Sequence, residues 1–146
     1  MCIMGCNSEG CCGGRPNTNL KENRIITITQ PPKKVEKGWG YELYIHNDDG
    51  YCGKVLHFNK GGRFSMHYHV EKRESFYISK GRLILKQIDP DTTEIYEQEV
   101  FEGCVIEIYR GVAHQLIALE ESDVFEISTP DKPEDSYRVW KGDSQN

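Results

Sequence analysis

Apolar positions in this chain alternate with polar ones in short runs and nowhere hold the roughly 3.6-residue spacing of an amphipathic helix. Runs rich in Val, Ile, Tyr and Phe cover residues 41–45, 52–58, 64–69, 74–79, 82–88, 93–97, 105–109, 114–118 and 124–128. Turn signals separate them: Asn47-Asp48-Asp49-Gly50, Lys60-Gly61-Gly62, Lys80-Gly81, Asp89-Pro90-Asp91, Glu102-Gly103 and Arg110-Gly111. Many short strands joined by such turns predict an all-β barrel or sandwich. A further β-branched run, RIITIT at 24–29, precedes Pro31 and Pro32 and reads as one more strand. Residues 1–23 are polar and rich in Gly and Asn, which predicts a disordered tail followed by a single domain over 24–146. Residues 130–146 are polar again and are expected to wrap the surface, with Tyr137, Val139 and Trp140 as anchors.

Charge is unevenly placed. Residues 1–34 carry a net +3, which leaves -8 on the remainder of a chain whose total is -5. An acidic domain repels phosphate backbones, so nucleic acid is not an expected partner. No run approaches the ~18 apolar residues of a membrane span, and the first residues lack the apolar segment of a signal peptide. A soluble, cytoplasmic protein is the expectation. Four of the six cysteines, Cys2, Cys6, Cys11 and Cys12, crowd into the tail, while Cys52 and Cys104 stand alone. Without a secretory signal they do not predict a disulfide framework.

The candidate chemistry lies in two segments. One runs from Gly61 through His67 and His69 to Glu74 and Gly81; the other runs from Gly103 through Gly111 to His114. Residues at i and i+2 of a strand share a face, so His67 and His69 point the same way. Glu74 and His114 each open a later strand, on faces shared with Phe76 and Ile78 and with Leu116 and Ala118. If those faces line one interior, three imidazoles and a carboxylate meet. Such a mixed nitrogen and oxygen set suits Mn, Fe, Zn, Ni or Cu as a divalent ion and argues against an all-oxygen calcium site. His46, before a turn, is expected in solvent, and His57, off the parity of Leu56 and Phe58, is expected to face outward or pack.

The spacing G-x5-H-x-H-x4-E-x6-G from Gly61 to Gly81, followed by Gly103, Gly111 and His114, resembles the two-part signature of the cupin family over about residues 35–140. That resemblance implies a double-stranded β-helix, the jelly-roll barrel, with one divalent transition metal ion (Mn, Fe, Zn or Ni) held inside by His67, His69, Glu74 and His114. The chain departs from the family pattern at Tyr109, where Pro is usual, and at Ala118, where Asn is usual. Tyr109 predicts a less rigid turn, and Ala118 an enlarged or drier pocket. The entry segment Val35-Glu36-Lys37-Gly38-Trp39-Gly40-Tyr41-Glu42 and the ending Glu134-Asp135-Ser136-Tyr137-Arg138-Val139 resemble the cupin domain of type II mannose-6-phosphate isomerases. Trp39 is equally expected as an aromatic packed at the barrel mouth. The resemblance implies a small-molecule substrate, a sugar or sugar phosphate, with the ion as Lewis acid. Lys54, Arg63, Tyr77 and Arg110 are the expected substrate contacts, and the catalytic base is not identified. An Fe(II) dioxygenase and a non-catalytic binding module are the alternatives. A homodimer formed through the 24–29 strand is the expected assembly.

Overall fold

The computed structural model describes residues 31–145. The cysteine-rich tail and the expected strand at 24–29, and with it the expected dimer edge, lie outside these residues. The chain divides after Pro31, and the unit Pro32–Asn146 holds eleven strands among the described residues. They are β1 (Lys33–Lys37), β2 (Gly40–Asn47), β3 (Cys52–Phe58), β4 (Met66–Tyr68), β5 (Glu74–Lys80), β6 (Arg82–Ile88), β7 (Ile95–Phe101), β8 (Val105–Ile108), β9 (Ala113–Ala118), β10 (Ser122–Ser128) and β11 (Tyr137–Trp140). All pairings are antiparallel, in a six-stranded sheet of order β1-β2-β3-β10-β5-β8 and a five-stranded sheet of order β11-β4-β9-β6-β7. This is an all-β architecture, as the alternating pattern predicts, in the jelly-roll arrangement that the cupin resemblance implies.

The two inner faces share one core. The large sheet contributes Leu56, Phe58, Phe76, Ile78 and Val124, and the small sheet contributes Leu83, Val100, Leu116 and Ala118. Registers on the large sheet place Leu56 beside Val124 and Val124 beside Ile78, an apolar row. One row along, Tyr44 lies beside Lys54, Lys54 beside Glu126 and Glu126 beside Phe76. Further toward the same end Cys52 lies beside Ser128 and Ser128 beside Glu74. The inner face therefore changes from oil to charge along each strand without a break in alternation. That gradient sets which end of the barrel can carry chemistry.

Several boundaries differ from expectation. The predicted run 64–69 is a strand only over Met66–Tyr68, because Phe64 and Ser65 approach the core and Gly61 and Gly62 bond to Ala118 instead. The predicted run 93–97 becomes Ile95–Phe101: Asp89 caps the backbone N–H groups of Asp91 and Thr92, and Thr93 takes a positive φ of 63°, which prolongs the turn. The polar ending contains β11, paired to β4. Its Tyr137, Val139 and Trp140 are more than a third exposed and do not anchor it; the anchors are Asp131 and Asp135, both acids. No helix of the described residues is long and apolar enough to cross a membrane.

Candidate metal centre

His67 lies on β4 and His114 opposite it on β9, in direct register. Glu74 opens β5 on the other sheet, and His69 follows β4 by one residue. Both sheets thus deliver ligands to one point, where one donor atom from each of the four residues lies within 4.8 Å of the others. His69 Nε2 is 3.6 Å and His114 Nε2 is 2.9 Å from Glu74 Oε1. Donors bound to one ion at ~2.1 Å stand roughly 3–4 Å apart, which is the spacing of these contacts.

Each imidazole is oriented by a backbone carbonyl. His67 Nδ1 meets Ser65 O at 2.7 Å, His69 Nδ1 meets Asp135 O at 2.9 Å, and His114 Nδ1 meets Val112 O at 3.0 Å. A carbonyl can only accept, so Nδ1 carries the proton in all three rings and the Nε2 lone pairs are free to bind a cation. His69 Nε2, His114 Nε2 and Glu74 Oε1 are shut off from solvent and have no hydrogen-bond partner, although two of them are 2.9 Å apart. Orphaned buried polar atoms are costly, and a divalent ion would satisfy all three. The residues present therefore fit such an ion.

Electrostatics agree. Burial, reinforced by His114, lowers the His67 pKa to about 3. Burial also lowers that of His69, against the pull of Glu74. Both rings are neutral ligands at neutral pH. Burial works to raise the Glu74 pKa, but the charge of Lys72, 2.9 Å from Oε2, outweighs it and holds the carboxylate ionised. Phe64 and Phe76 pack edge-on against the His114 ring at 6.0 Å, closing the apolar side.

Beside the ligands lies a buried ionic cluster. Lys72 Nζ reaches Glu74 Oε2 at 2.9 Å, Glu126 Oε1 at 2.5 Å and Asp131 Oδ1 at 3.1 Å. Lys54 Nζ lies 3.3 Å from both Glu126 Oε2 and Asp131 Oδ2. Tyr44 donates its hydroxyl to Asp131 at 3.0 Å. Burial disfavours the Lys54 charge, but Glu126 and its neighbours reverse this and raise its pKa, so it stays protonated. Asp131 is lowered to about 2: burial opposes ionisation, and the two lysines overcome it.

Asp135 is the clamp of the site. Its carboxylate accepts the backbone N–H groups of Val70, Glu71 and Lys72 at 2.9–3.1 Å, which fixes the loop from His69 to Glu74. Gly111, at φ 79°, donates its N–H to His69 O at 2.7 Å from the other side. A residue with a Cβ would be strained at that angle.

A cavity of about 290 Å³ opens from His67, His69 and Glu74. Trp39, Leu56, Phe64 and Phe76 form its apolar wall; Tyr44, Lys54, Glu126 and Asp131 form the polar one. Trp39 is buried and stacks on Phe58 at 4.6 Å.

Of the four expected substrate contacts only Lys54 lines this cavity. Arg63 turns outward to Asp143 at 3.3 Å with half its side chain exposed. Tyr77 is 44% exposed because its parity on β5 is opposite to that of Glu74 and Phe76. Arg110 is exposed and donates Nε–H to Glu71 O at 2.5 Å. Ala118 packs in the core cluster and does not line the cavity, so it neither enlarges nor dries it. His57 faces Asp123 at 2.6 Å and stacks on Tyr41, and His46 meets Asp48 at 3.0 Å; neither belongs to the site. Sequence reasoning missed Lys72, Glu126, Asp131, Asp135 and Arg138. Glu126 alone carried a signal, as a charge on the apolar parity of Val124.

Fold and site together define a jelly-roll barrel with a mixed histidine and carboxylate cluster inside it. The chain belongs to the cupin family: the Cupin family model matches residues 41–139. No curated protein matches the chain. Among solved structures it is similar to CapF from Staphylococcus aureus, with 21% identity and a TM-score of 0.66 over 77% of this chain and 33% of that one. It is also similar to KdgF from Halomonas sp., with 15% identity and a TM-score of 0.56 over 64% of this chain and 81% of that one. Oxalate decarboxylase from Bacillus subtilis gives 20% identity and a TM-score of 0.63 over 74% of this chain and 30% of that one. The chain thus spans about a third of the length of CapF, and at these identities the likenesses show the fold.

Proposed function

We propose that this cupin is a metal-dependent enzyme acting on a small, oxygen-rich molecule of the sugar or sugar-phosphate class, by isomerisation between adjacent carbons. The observation that carries the reading is the set of three free Nε2 lone pairs and one carboxylate oxygen, buried, converging, and open to a cavity. A divalent ion bound there supplies Lewis acidity. The chain's own groups do the rest. Lys54, kept protonated, is a hydrogen-bond donor on the polar wall and cannot serve as the base. Glu126 and Asp131 present acceptor oxygens to hydroxyl groups on that wall. The apolar wall of Trp39, Phe64 and Phe76 offers flat surface to carbon faces and excludes water. The names of two similar structures are compatible with the reading: CapF is a capsular polysaccharide assembling protein, and oxalate decarboxylase has Mn(II) centres.

The test begins with elemental analysis of protein purified without chelator or affinity nickel. Manganese or zinc, with anaerobic interconversion of mannose 6-phosphate and fructose 6-phosphate followed by NMR, is the expected result. Iron with substrate-dependent oxygen uptake would replace this reading with the dioxygenase. Tight ligand binding without turnover would replace it with the binding module.

A further inference from the structure

The geometry points to Arg138 as the residue that selects an anionic substrate, gripping a carboxylate or phosphate carried a few bonds from the atoms that face the metal ligands. This deepens the metal-dependent reading above and rests on it. Arg138 lies on β11 directly opposite His67 on β4, so the two side chains share a strand face and both line the cavity. Opposed residues of an antiparallel pair have Cα atoms roughly 4.5–5.5 Å apart. Arg138 is therefore attached next to the metal ligand and is itself exposed to solvent.

What separates Arg138 from the other cations of the cavity is that it has no carboxylate partner among the described residues. Lys37 pairs with Glu42 at 3.4 Å, Lys54 with Glu126 and Asp131, and Lys132 with Glu71 at 2.6 Å. The remaining lining acid, Glu74, is matched by Lys72. Glu74, Glu126 and Asp131 share two lysines, Lys54 and Lys72, so Arg138, which touches none of the three, brings the cavity to neutrality before any ion binds. A divalent ion adds two further positive charges. A ligand bearing negative charge is the complement of that field, and a planar fork of donors is suited to a two-oxygen anion.

The test uses the Mn²⁺-loaded full chain and two 2-hydroxy acids with the same metal-chelating end, malate and 2-hydroxybutyrate; only malate has a distal carboxylate. Calorimetric titration is expected to show malate binding at least tenfold tighter than 2-hydroxybutyrate. Arg138→Gln is expected to abolish that preference while leaving 2-hydroxybutyrate affinity and bound manganese unchanged, and Arg138→Lys is expected to restore part of it. An unchanged preference in Arg138→Gln, with manganese in place, overturns the role of Arg138 alone. A wild-type chain that takes up no ion overturns the metal reading and this inference with it.

Discussion

Lys72 Nζ stands 2.9 Å from Glu74 Oε2, and this contact leaves Glu74 Oε1 turned toward His69 and His114. One carboxylate thus faces a lysine with one oxygen and the ligand cluster with the other. The lysine settles which oxygen is available and keeps the group ionised, and neither residue is more than a few per cent exposed.

Lys72→Met should be among the most damaging substitutions in the chain. It leaves Glu74, Glu126 and Asp131 without the cation all three share. Removing one partner of a buried ionic cluster typically costs about 3–5 kcal/mol. Urea unfolding should show a loss of that order; a change under about 1 kcal/mol would mean that water replaces the lysine, since typical surface ion pairs are worth no more than that.

His67→Ala and His114→Ala should each bind well under one ion per chain, read by elemental analysis after dialysis against the metal. Conversely, an ion that binds only the folded chain stabilises it by about 4 kcal/mol at a concentration a thousandfold over its dissociation constant. Chelator should therefore lower the melting temperature of the wild type and leave that of His114→Ala nearly unmoved. Equal metal content in wild type and both variants would refute the ligand set.

Asp135→Ala removes a carboxylate that accepts three backbone N–H groups in the loop carrying His69. Buried donors left without partners cost about 1–3 kcal/mol each. Loss of a group that orients a metal ligand typically weakens metal binding about 10–100-fold. Both losses should appear together, in unfolding and in metal titration. Weaker folding with unaltered metal affinity would show that the loop position does not reach the site.

Acid should destabilise the metal-free protein. His67 has a folded pKa of about 3 against an ordinary 6.5. Asp131 has one of about 2 against an ordinary 3.8. In both cases the folded value is depressed, so the unfolded chain binds more protons and stability falls as pH falls. The His67 contribution is lost from about pH 6.5 downward, and that of Asp131 only below about 3.8. Melting temperature should therefore decline steadily between pH 7 and pH 4 in wild type and less steeply in His67→Ala. A flat profile in the wild type would contradict neutral burial of the ring.

The alternation of apolar and polar residues determined by itself that this chain is all β. The spacing from Gly61 to Gly81 and from Gly103 to His114 was enough to nominate the ligands. Those are local quantities: a period of two sets the face a side chain takes, and β-turn chemistry sets where a strand stops. Lys54 shares the parity of Leu56 and Phe58 and is buried with them on the inner face of β3. The same parity would have sent Tyr77 outward and flagged Glu126.

Only the tertiary structure decided what surrounds the ligands. Lys72 sits in the unremarked spacer between His69 and Glu74, and Asp131, Asp135 and Arg138 sit in a polar ending that reads as surface. Their roles come mainly from contacts between distant segments, such as Lys72 with Asp131 and Val70 with Asp135, 59 and 65 residues apart. No local pattern encodes such contacts, because a buried charge is tolerated only where a partner arrives from elsewhere in the fold. The partner's arrival is a property of sheet order and register, which exist only once the chain has closed on itself.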